Sequence, residues 1–156
     1  MIQKIILWIK RLFGLIEDEE KSEIKIYERK EFMSTYELLF YEKIKDLENE
    51  YKIVPQVNLA TIVKKINRGY INELFKNIDF AIFDKDYKNV LLLIEINDST
   101  HNKINRKDRD LKVKKICNDC NIKLITFYTK YPNEKEYVLK RIKEELDQQN
   151  NTNITN

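Results

Sequence analysis

Apolar and polar residues change their period along this chain, and the period divides it. Two short apolar runs, Ile78 to Phe83 and Val90 to Ile96, flank a polar stretch from Asp84 to Asn89. Such runs about a turn predict a β-hairpin. Ile122–Tyr128 reads as a further strand, and so does Tyr51–Leu59, where Pro55 predicts an edge position or a bulge. Elsewhere apolar residues recur at helical spacing. This predicts helices over 1–16, Met33–Asn49, Ala60–Ile66 (ended by Gly69), Arg106–Asn121 and Glu134–Asp147. Ser34 followed by Glu37 is a capping box for the second of these. Its Leu38, Leu39, Tyr41 and Ile44 are expected in the core. Val113, Ile116, Cys117 and Cys120 mark the expected buried face of the Arg106 helix. The order strand, helix, strand from Val90 to Tyr128 predicts a parallel pair joined by a crossover. The expected class is therefore α/β, a mixed sheet flanked by helices.

Composition refines this picture. A chain of 156 residues suits one domain with a real core, and two glycines and two prolines argue against a loop-rich all-β fold. The net charge of +3 does not by itself announce a nucleic-acid partner, so the placement of charge has to decide. Cys117 and Cys120 form a single C-x-x-C, and with one histidine in the chain a structural zinc site lacks ligands. Two reduced core thiols are expected, which suits a cytoplasmic setting.

The ends differ from the middle. In residues 1–16, Ile2, Ile5, Ile6, Ile9, Leu12, Phe13 and Ile16 share one stripe, with Lys4, Lys10 and Arg11 off it. The segment is too short and charged to span a bilayer and lacks a secretory cleavage site. It reads as a basic amphipathic helix on a membrane surface, at its inner face, or as a helix packed on a partner or on this domain. Residues 17–33 read as a polar linker, 34–147 as the domain, and the Asn/Gln/Thr-rich 148–156 as a disordered tail.

Each hairpin strand carries one carboxylate in apolar surroundings, Asp79 and Glu95. A hairpin centred on Tyr87 sets residue 79 opposite residue 95, with Asp79, Ala81 and Phe83 on one face together with Leu91, Leu93 and Glu95. Opposed carboxylates repel unless a proton or cation lies between them. The pair therefore points to a hard divalent cation, Mg²⁺ or Mn²⁺. The bland alternative is that Asp79 caps a turn or pairs with a base and Glu95 sits at a strand end. On the Arg106 helix, Arg106 and Arg109 extend the inward face and Lys112 borders it.

Along this order stand Tyr36-Glu37, Phe40-Tyr41, Gln56-Val57-Asn58-Leu59, Ile78-Asp79-Phe80, the run Ile94 to His101, and Arg109-Asp110. With these residues the assembled order resembles the PD-(D/E)XK nuclease core. More closely it resembles the domain-of-unknown-function 2726 family, relatives of the very-short-patch-repair endonucleases. The resemblance implies a restriction-endonuclease-like fold and Mg²⁺ held by Asp79, Glu95 and the Ile96 carbonyl. It also implies that Glu37 steadies the site and that His101 acts as a general base or phosphate holder. The superfamily places a lysine two residues after the glutamate, where this chain has Asn97; Arg109 or Lys112 are the candidates to replace its charge. Lys64, Lys65, Arg68, Lys103, Arg106 and Lys107 are candidates to hold nucleic-acid phosphates. Two functions follow as expectations: a metal-dependent DNA endonuclease, or a weak or inactive nucleic-acid-binding module, either of them held at a membrane through residues 1–16.

Overall fold

The computed structural model describes residues 2–13, 26–67, 69–97 and 104–154, with the backbone alone at 11, 104–107, 109 and 149–154. The chain falls into two units, Met1–Glu31 and Phe32–Asn156. In the first, α1 spans Ile2–Leu12. The expected linker lies partly outside the described residues, and 26–31 have no regular structure.

In the second unit, α2 spans Thr35–Ile44 and starts as expected. The Ser34 hydroxyl accepts the Glu37 N–H, and the Glu37 carboxylate accepts the Ser34 N–H. A 3₁₀ turn over Lys45–Asn49 follows, and then β1, Lys52–Asn58. Next come α3 (Leu59–Ile62), β2 (Asn77–Phe83), β3 (Val90–Asn97), α4 (Ile104–Asp119), β4 (Leu124–Tyr128) and α5 (Lys135–Ile154). Among the described residues the sheet has four strands in the order β1-β2-β3-β4. The first three run antiparallel, and β4 runs parallel to β3 after the α4 crossover. Pro55 sits on the edge strand, where its missing N–H costs no ladder bond.

Strand alternation splits the core. Phe80, Ile82, Leu92, Ile94, Ile125 and Phe127 pack with Phe40 and Ile44 of α2 and Val138, Ile142 and Leu146 of α5. Ala81 and Leu93 pack with Val57, Leu59 and, from α4, Val113 and Cys117. The sheet is thus covered by α2 and α5 on one side and by α4 on the other.

Several expectations need correction. Leu38 and Leu39 are exposed, and the buried residues of α2 are Phe40 and Ile44. The third helix is one turn, not Ala60–Ile66: Asn58 caps it at Ala60 N, and Val63 is already extended. Gly69 therefore does not end it, although its φ of +142° needs a residue without Cβ. Cys120 is exposed; Cys117 alone of the two thiols is buried. Leu91 belongs to the α2/α5 side, because the ladder shifts between Ile82 and Phe83 and pairs Phe83 with Val90. The tail is helical to Ile154, since no Gly or Pro stops α5 once it has begun.

Candidate functional site

Phe80 faces Ile94 and Ala81 faces Leu93. The paired residues end there, and Asp79 and Glu95 are the next residues along each strand, at the end of the hairpin away from its turn. Glu95 lies on the side of Leu93 that α4 covers, and Lys76 ties it to Asp110 of α4. Asp79 stands at the end of the sheet, close enough to Glu95 and to Glu37 of α2 to feel both charges. The Ile96 N–H donates to Asp79 Oδ2 at 2.6 Å and ties that carboxyl to β3. An extended residue directs its N–H and C=O to the same side, so the Ile96 carbonyl belongs to this corner too.

The Asp79 carboxyl is pushed up to about 7 from its ordinary 3.8. Burial is the largest cause. The Ile96 N–H works against it, and the negative charges of Glu95 and Glu37, with a hydrogen bond to Glu37, raise it further. Near neutral pH this carboxyl is poised between its two forms, as groups used in chemistry are.

Glu37 does two jobs that the sequence presents as alternatives. Its Oε2 completes the α2 capping box at 2.5 Å from Ser34 N, and its Oε1 accepts from Gln56 Nε2 at 2.8 Å. Gln56 has φ +55°, a left-handed backbone that costs a residue with a Cβ about 1 kcal/mol. It sits between the β1–β2 pairs Pro55–Phe80 and Val57–Ile78. The strain coincides with its bond to Glu37 and so to the carboxylate corner.

The counter-charge comes from a residue that sequence reasoning missed. Lys76 Nζ lies 2.7 Å from Glu95 Oε1, with the two side chains only 16% and 13% exposed. It also stands 3.7 Å from Asp110 of α4. A carboxylate this buried needs a partner. The Lys76 backbone is pinned next to it, because its carbonyl accepts the Leu59 N–H at 2.9 Å. The one signal available was a lysine three residues ahead of Asp79, in a segment with no period to read.

Lys112, expected as the replacement charge, is exposed and lines a groove of about 550 Å³ with Lys64, Lys65, Glu73 and Lys115. Lys65 is tied to Glu73 at 2.7 Å. Arg106, Lys107 and Arg109 are on α4, with side chains outside the described residues. Arg68, His101 and Lys103 also lie outside them.

Among the described residues no three His, Cys, Asp or Glu side chains are grouped as a metal cage. Mg²⁺ does not require one: it keeps several waters and takes one or two carboxylates. Asp79, Glu95 and the Ile96 carbonyl make an all-oxygen donor set of that kind, and the raised Asp79 carboxyl gains from any cation nearby. The residues fit such an ion.

No curated protein and no solved structure matches the chain. Residues 29–149 match the family described as "Protein of unknown function (DUF2726)", a stretch from ahead of α2 to well into α5. The chain belongs to the DUF2726 family.

Proposed function

We propose that residues 34–147 form a Mg²⁺-dependent DNA endonuclease with a restriction-endonuclease-like core of the PD-(D/E)XK kind. One observation carries the reading: Asp79, its carboxyl pushed up by burial and by Glu95, stands with Glu95 at the open end of the hairpin, and Lys76 is ion-paired to that same Glu95. The element order supports it, with a helix, three antiparallel strands, a crossover helix and a parallel strand.

Mg²⁺ held by Asp79, Glu95 and the Ile96 carbonyl would polarise a phosphoryl oxygen and supply a water of lowered pKa. Lys76 takes the part that Asn97 cannot. Released from Glu95, its ammonium offsets the charge that develops on the phosphate being cleaved. Glu37 and Gln56 hold Asp79 in place through their shared hydrogen bond. Lys64, Lys65 and Lys112 give the flanking phosphates a sequence-independent hold.

The test is plasmid nicking with Mg²⁺ or Mn²⁺ by wild type, Asp79→Ala and Glu95→Ala. Nicking by wild type alone is the expected result. Equal nicking by all three points to a contaminant and sinks the reading.

A second reading rests on the same lysine. Lys76 is engaged with both Glu95 and Asp110, and Asn97 leaves the usual lysine position empty of charge. That closed network favours a nucleic-acid-binding module without cleavage. Its signature is DNA binding that a chelator does not touch, with no nicking by any variant.

A further inference from the structure

The apolar residues of α1 are exposed along its whole length: Ile9, the least so, is 42% accessible, while Ile2 and Phe13 reach 74% and 70%. At 100° per residue, Ile2, Ile5, Ile6, Ile9, Leu12 and Phe13 fall within an arc of about 120°, a third of the circumference. Trp8 stands at one border of that arc. The other side carries Gln3, Lys4, Lys10 and Arg11, with Leu7 among them, and α1 holds no acidic residue.

Three arguments choose the occupant of this face. An isolated helix of 11 residues is marginal in water, so whatever binds it must also supply its helicity. A second copy supplies this less well: it brings no acidic residue to pair with the cations, and the apolar arc is broader than the narrow seam of a paired helix. An anionic bilayer supplies both parts, since its acyl boundary takes the broad arc, its headgroups take Lys4 and Lys10, and its interface suits Trp8. The described helices include none long and apolar enough to cross a membrane, so α1 lies in the plane. The acidic run Glu17 to Glu20 follows in the sequence and is repelled by the same headgroups.

We propose that α1 docks the protein on anionic phospholipid, lying in the bilayer interface. This stands independently of the nuclease reading. Trp8 is the sole tryptophan, so tryptophan emission, excited outside the tyrosine band, reports on α1 alone. The experiment titrates the full chain with vesicles of phosphatidylcholine, or of equimolar phosphatidylcholine and phosphatidylglycerol, following Trp8 emission and co-flotation. A blue shift and flotation with the anionic vesicles, weakened by salt, are expected. Lys4→Glu with Lys10→Glu weakens binding by about thirtyfold or more. Ile5→Glu with Ile9→Glu weakens it on the order of a hundredfold. The melt of the remainder checks that each variant is folded. Equal binding to both vesicles overturns the charged-surface assignment. No vesicle binding, with self-association abolished by the isoleucine variants, assigns the face to a second copy instead. A Trp8 shift with duplex DNA and none with vesicles assigns it to nucleic acid; both outcomes overturn the proposal.

Discussion

The β2–β3 hairpin carries an aspartate at each end, and the two have opposite fates. Asp84, at the turn, takes the Lys88 N–H at 2.7 Å, the Asn89 N–H at 3.1 Å and the Asn89 side chain at 2.6 Å. Desolvation is the largest single influence and works against it, but the Asn89 side chain and these N–H groups, with the Lys88 charge, together outweigh it and hold the carboxyl below the usual range. Asp79, at the open end, has one backbone donor and two carboxylate neighbours, and burial pushes it up to about 7. The same side chain is a structural acceptor where donors surround it and a poised acid where they do not. A hairpin needs the first kind to turn; nothing in its folding needs the second.

The sharpest way to break this contrast is to neutralise each aspartate. Asp79→Asn should cut DNA cleavage on the order of a thousandfold or more, since it removes a metal ligand. The same change should raise the melting temperature of the metal-free protein. Asp84→Asn should do the reverse, leaving cleavage near wild type and lowering the melting temperature as the turn loses its acceptor. Nicking assays and thermal melts with chelator read both arms. A loss of cleavage in Asp84→Asn matching that of Asp79→Asn would erase the distinction.

The next effect belongs to Lys76. Replacing one member of a buried pair leaves the other charge uncompensated, so Lys76→Met should cost the metal-free protein about 3 kcal/mol in denaturant unfolding. Mn²⁺ binds the folded state only and should restore more stability to this variant than it adds to wild type. An equal Mn²⁺ gain in both would show that Lys76 and the ion do not compete for Glu95.

A smaller effect follows from pH. Folded Asp79 keeps its proton up to about 7, while the unfolded chain loses it near 3.8. Between those values the folded state binds the extra proton, so stability of the metal-free protein falls as pH rises through this window. After allowing for its partly wet surroundings, the loss is about 2 kcal/mol. Asp79→Asn should flatten that slope. A wild-type slope of the opposite sign would mean that the Asp79 carboxyl is held low, as Asp84 is.

The hairpin, its register beside Asp79 and Glu95, the capping box and the parallel crossover were all legible, because each has a local signature: alternation, a turn, a Ser-to-Glu spacing, a strand–helix–strand order. The sheet-covering faces were less so. Leu38 and Leu39 have helical spacing yet stay exposed, because which arc of α2 meets the sheet is set by Phe40 and Ile44 from across the fold. Lys76 and Gln56 were not legible as partners of the carboxylates. Both act from irregular backbone, one before β2 and one at a left-handed residue on the edge strand, and irregular backbone has no period from which a side chain's direction follows.

The smallest prediction asks whether burial alone reproduces on a thiol what it does to Asp79. Cys117 is 1% exposed, and its thiol is pushed up to about 11 from its ordinary 9.0, by burial first, then by Cys120 and the charge of Glu95. Cys120, one helical turn on, is exposed. The thiolate is the reacting form, so two pKa units reduce its share about a hundredfold, before any loss of access. Native protein should therefore take up one equivalent of iodoacetamide, at Cys120, and a second only in denaturant. Cys120→Ser should be inert until unfolded. Peptide mass spectrometry reads both, and rapid native labelling of Cys117 would mean that α4 opens away from the sheet, which would leave the Asp79 and Glu95 side less buried than the contrast with Asp84 requires.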